Sequence, residues 1–197
     1  NNEVRIKANG NINRRVIGDT VSDNQGTITS DGRVILESAQ GVINGITLVD
    51  DGDSKQELIA RAADDITISK AGDLVVDTVF SANGDVTLNV ANGSDKNDII
   101  VIPSSDNISI CANNITLLGV KNLGTEDAFV GLKANGIGGG TIDAAISGEM
   151  YVTTKEVRKV FNEELNNINN KTIYECIEET RKRIKNLSYL KSPEYKE

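Results

Sequence analysis

A short apolar pair at positions i and i+2, set just behind an Asp, Asn or Gly, recurs along most of this chain. It constrains the fold more than any other feature. The pairs are Ile46/Leu48 in NGITLV, Ile66/Ile68 in DDITIS, Val86/Leu88 in GDVTLNV, Ile108/Ile110 in DNISIC and Val130/Leu132 in AFVGLKA. Their first members are 20, 20, 22 and 22 residues apart. Val4/Ile6, Ile28 and Met150/Val152 fall near the places the same spacing leaves before and after them. Residues i and i+2 of a strand share one face of a sheet. Each pair is therefore a short strand with one apolar side, and a single repeat cannot bury that side alone. Stacked copies can. The spacing predicts a right-handed parallel β-helix over residues 1–150, a solenoid of roughly 20–22 residues per coil. Ile46, Ile66, Val86, Ile108 and Val130 would form one column of its core. An antiparallel β-sandwich is the alternative for strands this short.

Composition agrees with a thin, turn-rich core. Aromatic residues are 4% of the 197, Pro occurs twice, and Asn and Gly are abundant. Asp65, Asp73, Asp85, Asn107 and Asn114 stand where corners are expected, bonding their own backbone there. Gly72, Gly84, Gly93 and Gly136 suit positions with positive φ. Near residue 150 the composition changes, and Glu, Lys, Arg and Asn replace Gly and Val. Thr153 with Glu156, and Thr172 with Glu175, read as capping boxes. Val157, Val160, Phe161, Leu165 and Ile168 form one helical stripe; Ile173, Cys176, Ile177, Ile184 and Leu187 form a second. The reading is a helical pair over 151–190, capping the solenoid or joining two copies, with a flexible tail at 191–197. The chain opens in mid-pattern and reads as a fragment or a matured product.

Several function classes are excluded at this level. The chain has no His, which removes His-based acid–base work and His-ligated metals. A formal net charge of −8 is a poor match for nucleic acid or an anionic membrane. No apolar run approaches a membrane span. Cys111 and Cys176 lack metal-site spacing and read as idle thiols, a bridge between them being the alternative. Asp50, Asp51 and Asp53 offer oxygen ligands of the kind Ca²⁺ takes, but EF-hand spacing is missing and a solvated turn is the simpler reading. NGSDKNDII (92–100) has part of a calcium-binding repeat and lacks its paired glycines. NGIGGGTID (135–143) has no Lys-Ser/Thr and reads as a corner. Asn-x-Ser/Thr sequons at Asn92, Asn107, Asn114, Asn170 and Asn186 are expected by chance in so Asn-rich a chain. Asp64, Asp65, Asp73, Asp77 and Asp85 read as corner residues, and Lys70 and Lys96 are the only bases between 62 and 120. No catalytic, cofactor or metal site is expected.

ARAADDITISKAGDLVVDTVFSANGDVTLNVANGSD (60–95) resembles the repeat region of filamentous haemagglutinin-type exoproteins of two-partner secretion, and the likeness extends over roughly 25–135. The shared units are A-x-D-I-T-I, G-D-L-V-V and G-D-V-T-L. The resemblance implies a structural or adhesive segment of a bacterial secreted or surface protein. Such a segment is a rod that spaces or displays binding elements, with a surface protein or glycan as partner and no catalytic residues. The segment after Thr153 departs from that repeat. A carbohydrate-active β-helix and a self-assembling surface-layer or fibre subunit are the alternatives.

Overall fold

In the computed structural model the described residues are 3–14, 26–50, 56–101, 108–136 and 139–153. The chain divides into two units, Asn1–Thr154 and Lys155–Glu197. The second lies outside the described residues, and with it nearly all of the expected helical pair and tail.

The first unit is built from short strands. They are β1 (Glu3–Ala8), β2 (Ile12–Asn13), β3 (Thr27–Ser30), β4 (Arg33–Ser38), β5 (Ile43–Asp50), β6 (Glu57–Ala62), β7 (Ile66–Lys70) and β8 (Leu74–Ser81). There follow β9 (Val86–Asn89), β10 (Asn97–Val101), β11 (Ile110–Ala112), β12 (Ile115–Leu118), β13 (Val120–Leu123), β14 (Val130–Ala134), β15 (Ile142–Ala144) and β16 (Val152–Thr153). They form two sheets. One has nine strands along β1-β4-β6-β8-β11-β14-β16, with β10 and β13 attached at β8; the other has seven along β15-β12-β9-β7-β5-β2, with β3 on β5.

These findings correct the expected fold class. Every strand pairing is parallel, which removes the antiparallel sandwich. No helix occurs among the described residues, and Val152–Thr153, expected to open the helical pair, is a strand on β14. Nor do the described residues show a closed solenoid of even coils. In the smaller sheet Ile66 lies opposite Val86, Val86 opposite Ile115 and Ile115 opposite Ile142, steps of 20, 29 and 27 residues. In the larger sheet Val34 to Leu58 is 24 and Leu58 to Val76 is 18. The expected core column survives only at Ile66–Val86. Ile43, not Ile46, faces Ile66, Ile108 precedes β11, and Val130 belongs to the larger sheet. The reason is physical. An apolar pair at i and i+2 marks which side of a strand is buried, and strands of both sheets carry the same mark. Counting from pair to pair mixed the two sheets into one apparent period.

One apolar cluster draws on both sheets, with Val34, Leu58, Val76 and Ile110 from the larger and Ile43, Ile66, Val86 and Ile115 from the smaller. All eight are fully buried, and each such side chain is worth about 1.5–3 kcal/mol of transfer free energy. Three register shifts interrupt the ladders among the described residues, one of them between Asn97↔Val120 and Ile99↔Leu123, where β13 carries the extra residue. Gly45, at φ +69°, is the extra residue between Asn44↔Thr67 and Ile46↔Ile68. Asp77 is the extra residue between Leu58↔Val76 and Ile59↔Thr78. Beyond Asp77 the larger sheet forks: Leu74–Val76 pair with β10, while Val79 and Phe80 pair with β11. A bulge bends its strand and raises the local twist, which suits the fork.

Of the expected corner residues, Asp65, Asp73, Asp85 and Asn114 do something other than bond their own backbone, and Asn107 lies outside the described residues. Asp65 Oδ1 accepts the Asp85 N–H at 2.8 Å, and Asp85 Oδ1 accepts the Asn114 N–H at 3.0 Å. Asn114 Oδ1 then accepts the Thr141 N–H and hydroxyl, both at 3.0 Å. Each residue immediately precedes a strand of the smaller sheet. A second series runs beside the larger sheet: Asp73 accepts from Asp98 N–H at 3.0 Å, Asp98 from Asn122 N–H at 3.1 Å, and Asn122 from Glu149 N–H at 2.8 Å. Side chains one strand apart thus take up main-chain donors, at strand entries in the first series and inside β10 and β13 in the second, and hold the register.

Gly84 serves this series through its missing side chain rather than through a positive φ. A Cβ there would lie 2.4 Å from both Asp65 N and Asp65 Oδ1. Gly84→Ala is therefore expected to push the corner apart and cost about 1–3 kcal/mol in equilibrium urea unfolding. An unchanged midpoint would show that the corner tolerates the methyl. Gly72 and Gly93, by contrast, do have positive φ, at 139° and 61°.

Candidate functional site

The most unusual chemistry of the described residues lies inside the core. Strand β7 points Ile66, Ile68 and Lys70 to the same side, and Lys70 stands opposite Leu48 of β5. Its side chain is 1% exposed, and its ammonium donates to Asp50 Oδ1 at the end of β5, where the Asp50 side chain is 34% exposed. Gln56, fully buried, donates its N–H to the same Asp50 oxygen at 3.4 Å and its Nε2 to Ser30 O at 3.2 Å. Ser30 in turn lies opposite Asp50 in register. Among the described residues two buried oxygens, Gln56 Oε1 and Oδ1 of Asp31, the residue after Ser30, have no hydrogen-bond partner. A buried cation beside buried polar groups is costly unless fully satisfied, and this group is not.

The calcium candidate is partly placed. Asp50 holds the Lys70 ammonium, so a cation already stands against its carboxylate; Asp51 and Asp53 lie outside the described residues. Among the described residues no group of three or more His, Cys, Asp or Glu could hold a metal ion. Asn92–Asp95 closes a tight turn by two reciprocal backbone bonds of 3.0 Å. Of the sequons, Asn92 is exposed at that turn, Asn114 is part of the corner series, and Asn107, Asn170 and Asn186 lie outside the described residues. Cys111 is a free, half-buried thiol that accepts from Asn135 Nδ2 at 3.3 Å; Cys176 is outside the described residues.

The outer face of the larger sheet carries charge columns that follow strand register. Lys7, Glu37 and Arg61 stand in line, with Glu37 paired to Lys7 and, at 3.4 Å, to Arg61. The hydrogen bond from Lys7 holds the Glu37 carboxyl below its ordinary range. Beside them Arg33 grips Glu57 with two bonds of 2.8 and 3.0 Å, which raise the guanidinium's already high pKa. These pairs are solvent-facing, so their value lies in selecting register more than in stability. At the far end Phe129 and Tyr151 meet edge to face at 6.0 Å, and the Tyr151 hydroxyl donates to Glu149 at 3.0 Å, which raises its pKa.

Sequence reasoning did not single out Lys70 as buried, although the alternation of ITISK placed it in line with Ile66 and Ile68. Comparison of the chain with family models, with curated proteins and with solved structures returns no match. No helix among the described residues is long and apolar enough to cross a membrane.

Proposed function

We propose that this chain is a structural, non-catalytic segment of a bacterial secreted or surface-exposed protein of the filamentous haemagglutinin kind. Its sheets space and display contact surfaces for a surface protein or glycan. The observation that carries this reading is how the acidic residues are used. A glycan-cleaving site needs a pair of carboxylates free to face the scissile bond. Here Asp65, Asp85, Asp73 and Asp98 each accept a main-chain N–H from the next strand along. Their chemistry is committed to holding register.

The test has two arms. Antibodies against the purified chain are expected to label intact producing cells or the culture fluid, and the chain is expected to leave a panel of acidic and neutral polysaccharides undegraded. Turnover of any glycan that a single Asp substitution abolishes, or antigen confined to the cytoplasm, would overturn the reading.

A further inference from the structure

The Lys70 cluster has more unsatisfied groups than an ion pair explains. An ammonium carries three N–H donors. Among the described residues the fully buried Lys70 uses one, toward Asp50. Gln56 Oε1 and Asp31 Oδ1 are buried acceptors without donors among the described residues, and Asp31 follows directly on Ser30, the residue facing Asp50. An amide at this place would remove both charges and two of the three donors at once, and with them the desolvation cost of the buried ammonium.

We propose that Lys70 and Asp50 condense to an intramolecular amide, joining Lys70 Nζ to Asp50 Cγ. Asp31 takes and returns the proton. The balance closes within the chain. The ammonium passes a proton to the Asp31 carboxylate, the free amine attacks the Asp50 carboxyl carbon, and a C–N bond forms as a C–O bond breaks. Two of the three ammonium protons leave with one Asp50 oxygen as water: the first by way of Asp31, which ends as it began, and the second from the nitrogen once the C–N bond has formed. No oxidant, reductant or activated donor is required. The product is a covalent clamp between β5 and β7, two neighbouring strands of the smaller sheet. It is independent of the reading of function above.

Intact mass spectrometry of the full chain, unfolded before injection, is the test. The expected result is a mass lower than that of the sequence by one water. Proteolysis should then yield a branched peptide joining the fragments that hold Lys70 and Asp50. Lys70→Arg and Asp50→Ala are expected to restore the full mass, and Asp31→Asn to leave most of the chain unlinked. A natural chain at full mass overturns the clamp without recourse to any variant. So does loss of water without a branched peptide, because cyclisation at Asp31-Gly32 or Asp51-Gly52 also releases water and would persist in Lys70→Arg. Complete linkage in Asp31→Asn overturns the role given to Asp31.

Discussion

Val86→Asp is expected to cost about 4–5 kcal/mol or more, which removes most of the stability of a chain at the low end of the ordinary range. Val86 is fully buried, between Ile66 on one neighbouring strand and Ile115 on the other. A carboxylate in that slot has apolar neighbours on both sides along the sheet and no basic partner opposite. It must either stay charged without a counter-ion or take up a proton, and both are expensive. The next residue is the control. Thr87 points to the other side of the sheet, half-buried between Thr67 and Thr116, and Thr87→Asp is expected to cost about 1 kcal/mol or less. Equilibrium urea unfolding of the two variants measures the difference. Equal losses would mean that alternate residues of β9 do not face opposite ways.

The second large effect concerns charge rather than volume. Asp50→Ala leaves the Lys70 ammonium buried with no carboxylate, a change expected to cost about 3–5 kcal/mol. Adding Lys70→Met removes the charge and keeps an unbranched apolar chain in the slot. The double variant is therefore expected to be more stable than Asp50→Ala alone by about 3 kcal/mol. Both lack the pair and any bond between its members, so the comparison isolates the buried charge. A double variant no more stable than the single one would show that Lys70 reaches water when Asp50 is gone.

The side of the strand that faces the core was legible in the sequence for the pairs at 46/48, 66/68, 86/88 and 130/132, but not at the two ends, where Ile6 and Met150 are exposed. Ile46, Leu48, Ile66, Ile68, Val86, Leu88, Val130 and Leu132 all follow the alternation and are all buried. That pattern is local, because successive Cβ atoms of a strand point opposite ways whatever the strand pairs with. Pairing is not local. β5 divides its length between β2 and β3, and β8 divides its own between β10 and β11; Gly45 and Asp77 mark where, but nothing in either strand names the partners. The even period read from the sequence failed for this reason. Lys70 shows a related limit. Its place in the alternation was visible, but a lysine reads by type as exposed, and the carboxylate and glutamine around it come from segments that only the fold brings together.

The corners divide in the same way. Their Asp, Asn and Gly residues were recognisable from composition and from their place before apolar pairs. Whether their side chains bond their own backbone or the next strand's was open, since both use the same acceptor oxygen. The tertiary structure decided it. Asp85 reaches Asn114 across 29 residues of chain, and Gly84 is glycine because Asp65, from the preceding layer, fills the space a Cβ would take. The sequence by itself determined a β chain with one apolar side per strand and polar corners, because those follow from the geometry of a few neighbouring residues. The two-sheet arrangement, the unequal steps and the buried Lys70 cluster rest on contacts between distant residues, and only the folded chain contains those.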